Sequence, residues 1–309
     1  MSAGYGKHRI SFQGAVQLAA PHTWPAAVMP VLLGAAVSFA GGNPMRPYIL
    51  LATLAVAVLL QSAINTLNDY RDFVSGLDSA ENCLDPTDAA LIYGCSSPKA
   101  ALALGLAFLL LAAITGGALV ICCGAVMLIY GGLALLAIVL YILPGISFSE
   151  LPLGEALSGV TMGGVLTCAA CHAQAGSFST ELVYLCLPAV MTVGCIMLVN
   201  NTSDIEKDRE AGRRTLPVLL GRTAAQGILR VAVAAAALLA SAFIALRFPR
   251  GIAAIPAMLA ALFTNQKLWG IFRLELTAEN RSKSMAAILS AHVCIITAYT
   301  AGIILSGMS

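Results

Sequence analysis

Residues 200–216 read NNTSDIEKDREAGRRTL, a stretch with four carboxylates and four basic side chains in seventeen residues. Only 10% of the whole chain is charged, so this density needs a physical reason. Asp204 and Asp208 are four residues apart, and both project from one face if the preceding apolar helix continues this far. Neighbouring carboxylates repel each other and raise each other's pKa. A bound divalent cation removes that repulsion, so the spacing predicts a metal site.

A second acidic stretch, NTLNDYRD at residues 65–72, follows another apolar run. It carries two aspartates three residues apart, which therefore also share a helical face. The two stretches keep a constant offset, since Asp69 and Asp204 are 135 residues apart and so are Asn65 and Asn200. We interpret this as a weak internal repeat, in which each half of the molecule delivers an acidic helix end to a shared centre.

The composition places the chain in a membrane. Hydrophobic residues make up 59% of the sequence and the mean hydropathy is +0.87. Several apolar runs reach the roughly 20 residues that a helix needs to cross a hydrocarbon core. These features predict an all-α, polytopic membrane protein whose partners include the lipid bilayer. The net charge of +2 is too small, and the basic residues are too local, for a nucleic-acid surface.

Nine apolar runs are predicted to cross the membrane as helices. Their approximate ranges are 24–42, 48–67, 99–118, 121–142, 153–175, 180–201, 223–246, 250–270 and 284–306. We treat residues 1–309 as one transmembrane domain with a polar lead-in at 1–20. Two connections, 69–98 and 201–222, are too polar for lipid and too long for simple turns, so they are predicted to be cap loops over the site.

The distribution of lysine and arginine predicts the orientation of the chain. With a cytoplasmic N-terminus, fourteen basic residues fall on the inner side, and only Arg46, Arg247 and Arg250 fall on the outer side. Both acidic stretches and both cap loops then open on the cytoplasmic side. The prediction is a multi-pass protein of the cell (inner) membrane with its active site facing the cytoplasm.

The residue types in the two stretches suit magnesium and a diphosphate. Magnesium prefers hard oxygen ligands and is typically held by one or two carboxylates per ion plus substrate phosphates. Asn68, Asp69 and Asp72 on one helix, with Asp204 and Asp208 on another, suit two ions facing a diphosphate, which metal neutralisation makes a leaving group. Five basic side chains are predicted to add charge-assisted hydrogen bonds to the same oxygens: Arg71, Lys207, Arg209, Arg213 and Arg214.

A family resemblance rests on these residues. The sequence NDYRD at 68–72, followed by Gly76 and Asp78, and the stretch 200–216 resemble the two aspartate-rich motifs of the UbiA superfamily of intramembrane prenyltransferases. Two further segments resemble the branch that prenylates 1,4-dihydroxy-2-naphthoate in menaquinone synthesis. They are PHTWPAAVMPVLLG at 21–34 and LPLGE at 151–155.

The resemblance implies a nine-helix bundle around a central cavity open to the membrane. It implies that Asn68, Asp72, Asp204 and Asp208 hold Mg²⁺ and the diphosphate of a polyprenyl donor, with Asp69 beside them in a catalytic role. Loss of diphosphate would then leave an allylic cation that an electron-rich aromatic ring attacks. In the naphthoate branch the attacked carbon carries a carboxylate, which leaves as carbon dioxide.

Two further residues are predicted to contact the substrates, and several positions differ from the family pattern. Tyr141 matches a tyrosine that the family places near the prenyl diphosphate, and Asn65 is predicted to contact the same substrate. Ala20 stands where the family usually has an arginine, and the segments 85–94 and 144–149 lack basic residues common in the family. These departures leave the acceptor open between a naphthoate, 4-hydroxybenzoate and other quinone or lipid precursors.

Three other interpretations are weaker. A CDP-alcohol phosphotransferase would have glycine after the second aspartate of its motif, whereas Asp72 is followed by Phe73. A cation-coupled transporter predicts ionisable residues or broken helices near mid-membrane, whereas the carboxylates here fall at helix ends or in loops. The sequence CAACH at 168–172 matches the pattern for covalent haem attachment, but it lies inside an apolar run, which favours ordinary helix packing.

Overall fold

The computed structural model describes residues 10–79, 90–93, 96–143, 147–178, 180–273 and 275–308. The regular structure in these ranges is helical throughout, in agreement with the all-α prediction. The α-helices are α1 (Phe12–Ala19), α2 (Pro25–Ala40), α3 (Pro47–Val74), α4 (Pro98–Cys123), α5 (Met127–Ile142), α6 (Gly154–Ser158), α7 (Leu166–Ala175), α8 (Leu182–Leu185), α9 (Leu187–Ser203), α10 (Ile205–Glu210), α11 (Leu216–Leu220), α12 (Arg222–Arg247), α13 (Ala254–Thr264), α14 (Gln266–Arg273) and α15 (Arg281–Gly307). A π-helical segment, Gly159–Val165, joins α6 to α7.

Helix α3 extends further than the sequence analysis predicted. It has 28 residues and continues to Val74, because no glycine or proline interrupts it before Gly76. At about 1.5 Å per residue its length is about 42 Å. Asp69 and Asp72 therefore lie in the last turns of this helix. The connection predicted to begin at residue 69 begins only after Val74.

Helices α4 and α5 are separated at a different place from the one predicted. We expected the paired glycines Gly116 and Gly117 to divide the apolar run, but α4 passes through both of them and ends at Cys123. The turn lies at Gly124, whose φ of +94° is accessible to glycine and strained for other residues. At its other end α4 begins with a cap, because the Ser97 side chain accepts a hydrogen bond from the backbone N–H of Ala100.

Six helices or helix pairs are long and apolar enough to cross a membrane among the residues described. Helices α1 and α2, bent by 49° relative to each other, would make a seventh span, and α5 and α13 are shorter apolar helices. The predicted count of nine spans is therefore not confirmed. The predicted span 250–270 is broken at Asn265, whose side chain accepts a hydrogen bond from the backbone N–H of Leu268 and donates one to Ser290 Oγ. Asparagine favours such caps over helix interiors.

The hydrophobic core lies mainly between α2, α9, α12 and α15. Among its fully buried side chains are Leu33, Leu229, Ile295 and Tyr299. Helix α4, on the opposite side of the bundle, is less buried. Only 11% of the most apolar window of α4 is buried inside the protein, so the outer face of this helix is available to lipid tails.

Candidate active site

A cavity of about 850 Å³ lies within the bundle. One end is polar, with Asn65, Asn68, Asp69, Asn200 and Arg281 in its wall. The remaining wall is mostly apolar and comes from α2, α3, α5, the α6–α7 segment, α9 and α15. The lining residues on α3 begin at Thr53 and end at Asp69, which at 1.5 Å per residue corresponds to a depth of about 24 Å. The cavity thus combines a charged mouth with a long apolar interior.

Arg213 joins the two acidic stretches. Its Nη2 atom lies 2.7 Å from Asp72 Oδ1, and its Nη1 atom lies 3.3 Å from Asp208 Oδ1. All three side chains are largely buried. Burial lowers the pKa of the guanidinium, but the charges of Asp72 and Asp208 more than compensate and raise it above its ordinary value. The structure therefore brings the two halves of the sequence repeat together around one cation.

The turn before Arg213 directs its side chain back toward α10. Gly212 has a φ of +74°, and the backbone N–H of Arg213 donates a 2.8 Å hydrogen bond to the Asp208 carbonyl. The second carboxylate oxygen of Asp208 accepts a hydrogen bond from Thr215 Oγ1. Burial raises the pKa of Asp208 to about 6, against the opposing charge of Arg213 and with a smaller contribution from Asp204.

Asp72 has two partners on its own helix. Its Oδ2 atom accepts a 3.2 Å hydrogen bond from the Asn68 amide, and Arg71 donates to its Oδ1 atom. The same Arg71 side chain reaches the end of α5, where it donates to the Tyr141 carbonyl and to Ser147 Oγ. Arg71 therefore fixes the acidic end of α3 against the end of α5.

Asp204 is placed differently from the prediction. Helix α9 ends at Ser203 and α10 starts at Ile205, so Asp204 lies between the two helices with φ −102° and ψ 16°. The assumption that the preceding helix continues unbroken was wrong. The four-residue relationship survives locally, because the backbone N–H of Asp208 donates a 2.8 Å hydrogen bond to the Asp204 carbonyl.

Arg281 is a candidate site residue that the sequence analysis missed. Its guanidinium donates to Asn200 Oδ1 at 2.9 and 3.2 Å and lies 3.5 Å from Asp204 Oδ2. It lines the cavity and is the first residue of α15. The available signal was a basic residue at the predicted inner end of the last span, but topology alone accounts for such residues.

The remaining basic residues predicted for the site have different environments. Lys207 forms an ion pair with Asp78, which ties α10 to the segment that follows α3. Arg209 and Arg214 are exposed and do not line the cavity. Their assignment to diphosphate binding stays a prediction.

Two predicted substrate-binding residues line the cavity itself. Tyr141 is on its wall near the end of α5, and its hydroxyl lies 3.4 Å from Met197 Sδ. Asn65 donates a 2.9 Å hydrogen bond to Thr23 Oγ1 and accepts one from Gln61. The segment that opens the naphthoate-like motif is thus attached to the first acidic helix at the cavity wall.

The proposed metal ligands fit a magnesium site by donor type. Asn68 lines the cavity and donates a hydrogen bond to Asp72, whereas Asp72, Asp204 and Asp208 lie beside the lining residues and are not among them. Asn68, Asp72, Asp204 and Asp208 offer the hard oxygen atoms that Mg²⁺ prefers. Within the described ranges, no three His, Cys, Asp or Glu side chains form one compact metal-binding group, and Mg²⁺ commonly takes its other ligands from substrate phosphates and water. Asp72 and Asp208 already accommodate the positive charge of Arg213 between them, so their geometry suits a shared cation.

The haem-like sequence CAACH at 168–172 lies inside helix α7. Cys171 and His172 are both buried in the interior of α7, and the His172 ring packs against Tyr130. This agrees with ordinary helix packing. Of the segments that depart from the family pattern, residues 85–89, 94 and 144–146 lie outside the described residues. Residues 80–89, 94 and 95 of the predicted cap loop 69–98 and residues 1–9 of the polar lead-in also lie outside them.

A family model described as the UbiA prenyltransferase family matches residues 27–293 of the chain. This chain belongs to the UbiA prenyltransferase family. As a member of that family it is a transferase, and its apolar helices make it a multi-pass membrane protein. The resemblance carried by the two acidic motifs is thereby confirmed.

Two relatives show how far the similarity extends. This UbiA-family chain is 33% identical over 226 residues to 1,4-dihydroxy-2-naphthoate octaprenyltransferase of Bacillus subtilis (strain 168), which covers 71% of the chain and 70% of that protein. It is 27% identical over 208 residues to UbiA prenyltransferase domain-containing protein 1 of Homo sapiens, which covers 66% of the chain and 60% of that protein. The chain thus spans about three fifths of the length of the human relative.

Solved structures share the fold. A UbiA homolog from Archaeoglobus fulgidus, bound to DMAPP and Mg²⁺, matches with a TM-score of 0.60 at 18% identity, over 92% of this chain and 99% of that one. A structure of digeranylgeranylglyceryl phosphate synthase matches with a TM-score of 0.58 at 18% identity, over 94% of this chain and 98% of that one. At this identity the likeness concerns the fold alone.

Proposed function

We propose that this protein catalyses the Mg²⁺-dependent transfer of a polyprenyl group from polyprenyl diphosphate to an aromatic acceptor. The observation that carries the proposal is a long apolar cavity whose polar end is formed by residues of both acidic stretches, with Asn68 in its wall bonded to Asp72 and Arg281 in its wall beside Asp204. A prenyl diphosphate has the same division into a charged head and a greasy tail. The polar end of the cavity therefore suits the head of this substrate, and the apolar wall suits the tail.

The residues at the mouth have separate tasks in this proposal. When bound, Mg²⁺ would neutralise the diphosphate oxygens and so make the diphosphate a better leaving group. Asn68, Asp72, Asp204 and Asp208 are the proposed ligands, and Asp69 on the cavity wall adds a further carboxylate. Arg71, Lys207, Arg209, Arg213 and Arg214 are the proposed cationic contacts to the diphosphate.

The apolar wall has a chemical task as well. Loss of diphosphate leaves a positive charge on the allylic carbon, and water would capture it. The buried walls exclude water and keep the cation for the aromatic ring. Tyr141 lies on the cavity wall in the last turn of α5, where its ring face can stabilise the positive charge. Asn65, also on the cavity wall, is held in place by its hydrogen bond to Thr23.

We propose 1,4-dihydroxy-2-naphthoate as the acceptor, with loss of its carboxylate as carbon dioxide in a menaquinone pathway. Support comes from the name of the Bacillus subtilis relative and from the naphthoate-like segments at 21–34 and 151–155. The other candidates are 4-hydroxybenzoate and further quinone or lipid precursors. The proposed location is the cell (inner) membrane with the acidic mouth on the cytoplasmic side, as the distribution of basic residues predicts.

The experiment is a reconstituted transfer assay. The purified protein in lipid vesicles is incubated with octaprenyl diphosphate and 1,4-dihydroxy-2-naphthoate, with Mg²⁺ or with EDTA, and the lipid product is identified by mass. The expected product has lost both diphosphate and carbon dioxide and forms only with the cation. A parallel reaction contains 4-hydroxybenzoate. Product from that acceptor alone would replace the naphthoate assignment, and absence of product from either acceptor would contradict the proposed reaction.

A further inference from the structure

The two aspartates that meet at Arg213 have all four carboxylate oxygens engaged. Asp72 receives Arg213 and Arg71 on Oδ1 and Asn68 on Oδ2. Asp208 receives Arg213 on Oδ1 and Thr215 on Oδ2. Neither carboxylate has an oxygen without a hydrogen-bond donor. The Arg213 guanidinium contacts the Oδ1 atoms of both aspartates, so a cation that bridges these two atoms would take its place.

Arg213 is the partner whose displacement opens both carboxylates at once. Of these four partners, Arg213 contacts both Asp72 and Asp208, whereas Arg71, Asn68 and Thr215 each contact one of them. The Arg213 side chain is only 14% exposed. A guanidinium that loses both carboxylates in such a place leaves an uncompensated buried charge, which is strongly unfavourable. Binding of a cation alone is therefore opposed by the released arginine.

A diphosphate removes that penalty, because its oxygens can accept the fork of N–H groups that the carboxylates give up. We propose that Arg213 is a positioning residue that holds Asp72 and Asp208 together before substrate arrives and then exchanges these carboxylates for the diphosphate, so that cation and diphosphate bind cooperatively. This inference rests on the proposed function. It assigns Arg213 a role in the order of assembly of the site, in addition to its contact with the substrate.

The exchange has a thermodynamic signature. If diphosphate favours cation binding by a given factor, the cation favours diphosphate binding by the same factor. In the wild-type protein we expect diphosphate to raise cation affinity by about tenfold or more, within the usual range for coupled sites. Removing Arg213 should strengthen cation binding in the absence of diphosphate and reduce the coupling to the part that direct contact between cation and diphosphate supplies.

The test measures Mn²⁺ binding, by titration calorimetry or electron paramagnetic resonance, to the purified protein in detergent. Each protein is titrated with and without inorganic pyrophosphate, and the free Mn²⁺ concentration is corrected for the Mn²⁺–pyrophosphate complex. Arg213→Gln should bind Mn²⁺ alone more tightly than wild type and show a smaller effect of pyrophosphate than wild type. Arg213→Lys keeps the charge without the two-pronged geometry and should fall between them. The control is Lys283→Gln, which removes one positive charge from an exposed residue with no proposed role in the site and should behave as wild type.

Several results would overturn the inference. Equal coupling in wild type and Arg213→Gln would show that the arginine is not exchanged. An equal gain in Mn²⁺ affinity in Lys283→Gln would show a general charge effect. If Arg213→Gln does not fold, the comparison of Arg213→Lys with Lys283→Gln decides in the same way. Failure of the proposed function is separate, because it would appear as absence of prenyl transfer by the wild-type protein.

Discussion

Arg281, the first residue of the last helix, donates two hydrogen bonds to Asn200 at the start of the second acidic stretch. It also lies 3.5 Å from the Asp204 carboxylate. The last helix thereby supplies a positive charge to the charged mouth of the cavity, 81 residues beyond Asn200 in the chain.

The first prediction concerns this arginine. Arg281→Gln removes a charge-assisted contact worth about 1.5–3 kcal/mol, which corresponds to a loss of about 10- to 150-fold in kcat/KM for the prenyl diphosphate. Steady-state kinetics of prenyl transfer measure the effect. Lys283→Gln is the control, because Lys283 is exposed two residues further along the same helix. Equal losses in both variants would refute a specific role for Arg281.

The second prediction concerns Asp72. Asp72→Asn removes the negative charge that balances Arg213 and Arg71, and losing one partner of a buried ion pair can cost about 3–5 kcal/mol. We expect a folded protein with a lower Tm and no measurable prenyl transfer. Glu210→Gln, an exposed carboxylate in the second stretch, should retain both Tm and transfer. Near wild-type transfer by Asp72→Asn would remove this residue from the proposed metal ligands.

The third prediction uses the depth of the cavity. Gly131 lines the cavity on α5, and a Cβ added there meets no atom within 4 Å. Gly131→Leu should therefore fold while filling the apolar interior, and it should reduce transfer from octaprenyl diphosphate more than from dimethylallyl diphosphate. The ratio of the two rates is the measurement.

A neighbouring glycine supplies the control for this variant. Gly132 also has open space around an added Cβ, but it does not line the cavity. Gly132→Leu should leave the ratio of the two rates unchanged. The same change of ratio in both variants would mean that the donor tail does not run along this part of α5.

The fourth prediction concerns the turn before Arg213. Gly212→Ala introduces a Cβ into open space, so its cost comes from the positive φ of this residue, about 1–2 kcal/mol. Gly227→Ala also adds a Cβ in open space, but inside helix α12, where alanine is favoured over glycine by about 0.5–1 kcal/mol. Thermal denaturation should show opposite shifts in Tm for the two variants. Shifts of the same sign would contradict this account of the turn.

The predictable part of the fold follows from composition. Long apolar runs separated by charged connections leave few alternatives to membrane helices, and the two acidic motifs indicate the family that residues 27–293 match. The positions at which the helices end were harder to predict from the sequence. Gly116 and Gly117 resemble a break in the sequence, but the helix continues through both and the chain turns at Gly124. A glycine inside a helix costs only about 1 kcal/mol relative to alanine, so it does not by itself end a long apolar helix.

The candidate site was likewise predicted only in part from the sequence. Residue types and spacing point to both acidic stretches, yet they do not distinguish Arg213 from Arg214. The structure separates them, since Arg213 follows the turn at Gly212 and contacts both aspartates whereas Arg214 is exposed. A backbone dihedral angle decides between two neighbouring arginines, and no periodicity in the sequence reports it. The metal-binding roles stay predictions.

The length of α3 has a consequence for how the proposed reaction is measured. A helix of about 42 Å exceeds a hydrocarbon layer of about 30 Å, so its acidic end can stand at the level of the lipid headgroups while its other residues line the apolar interior. A donor dissolved in the bilayer carries its own diphosphate at that same level. It can reach the mouth by lateral diffusion alone, without passing through water. For such an encounter the effective substrate concentration is the mole fraction of donor in the lipid, and diluting the membrane with inert lipid should slow the reaction even when the bulk concentration is constant.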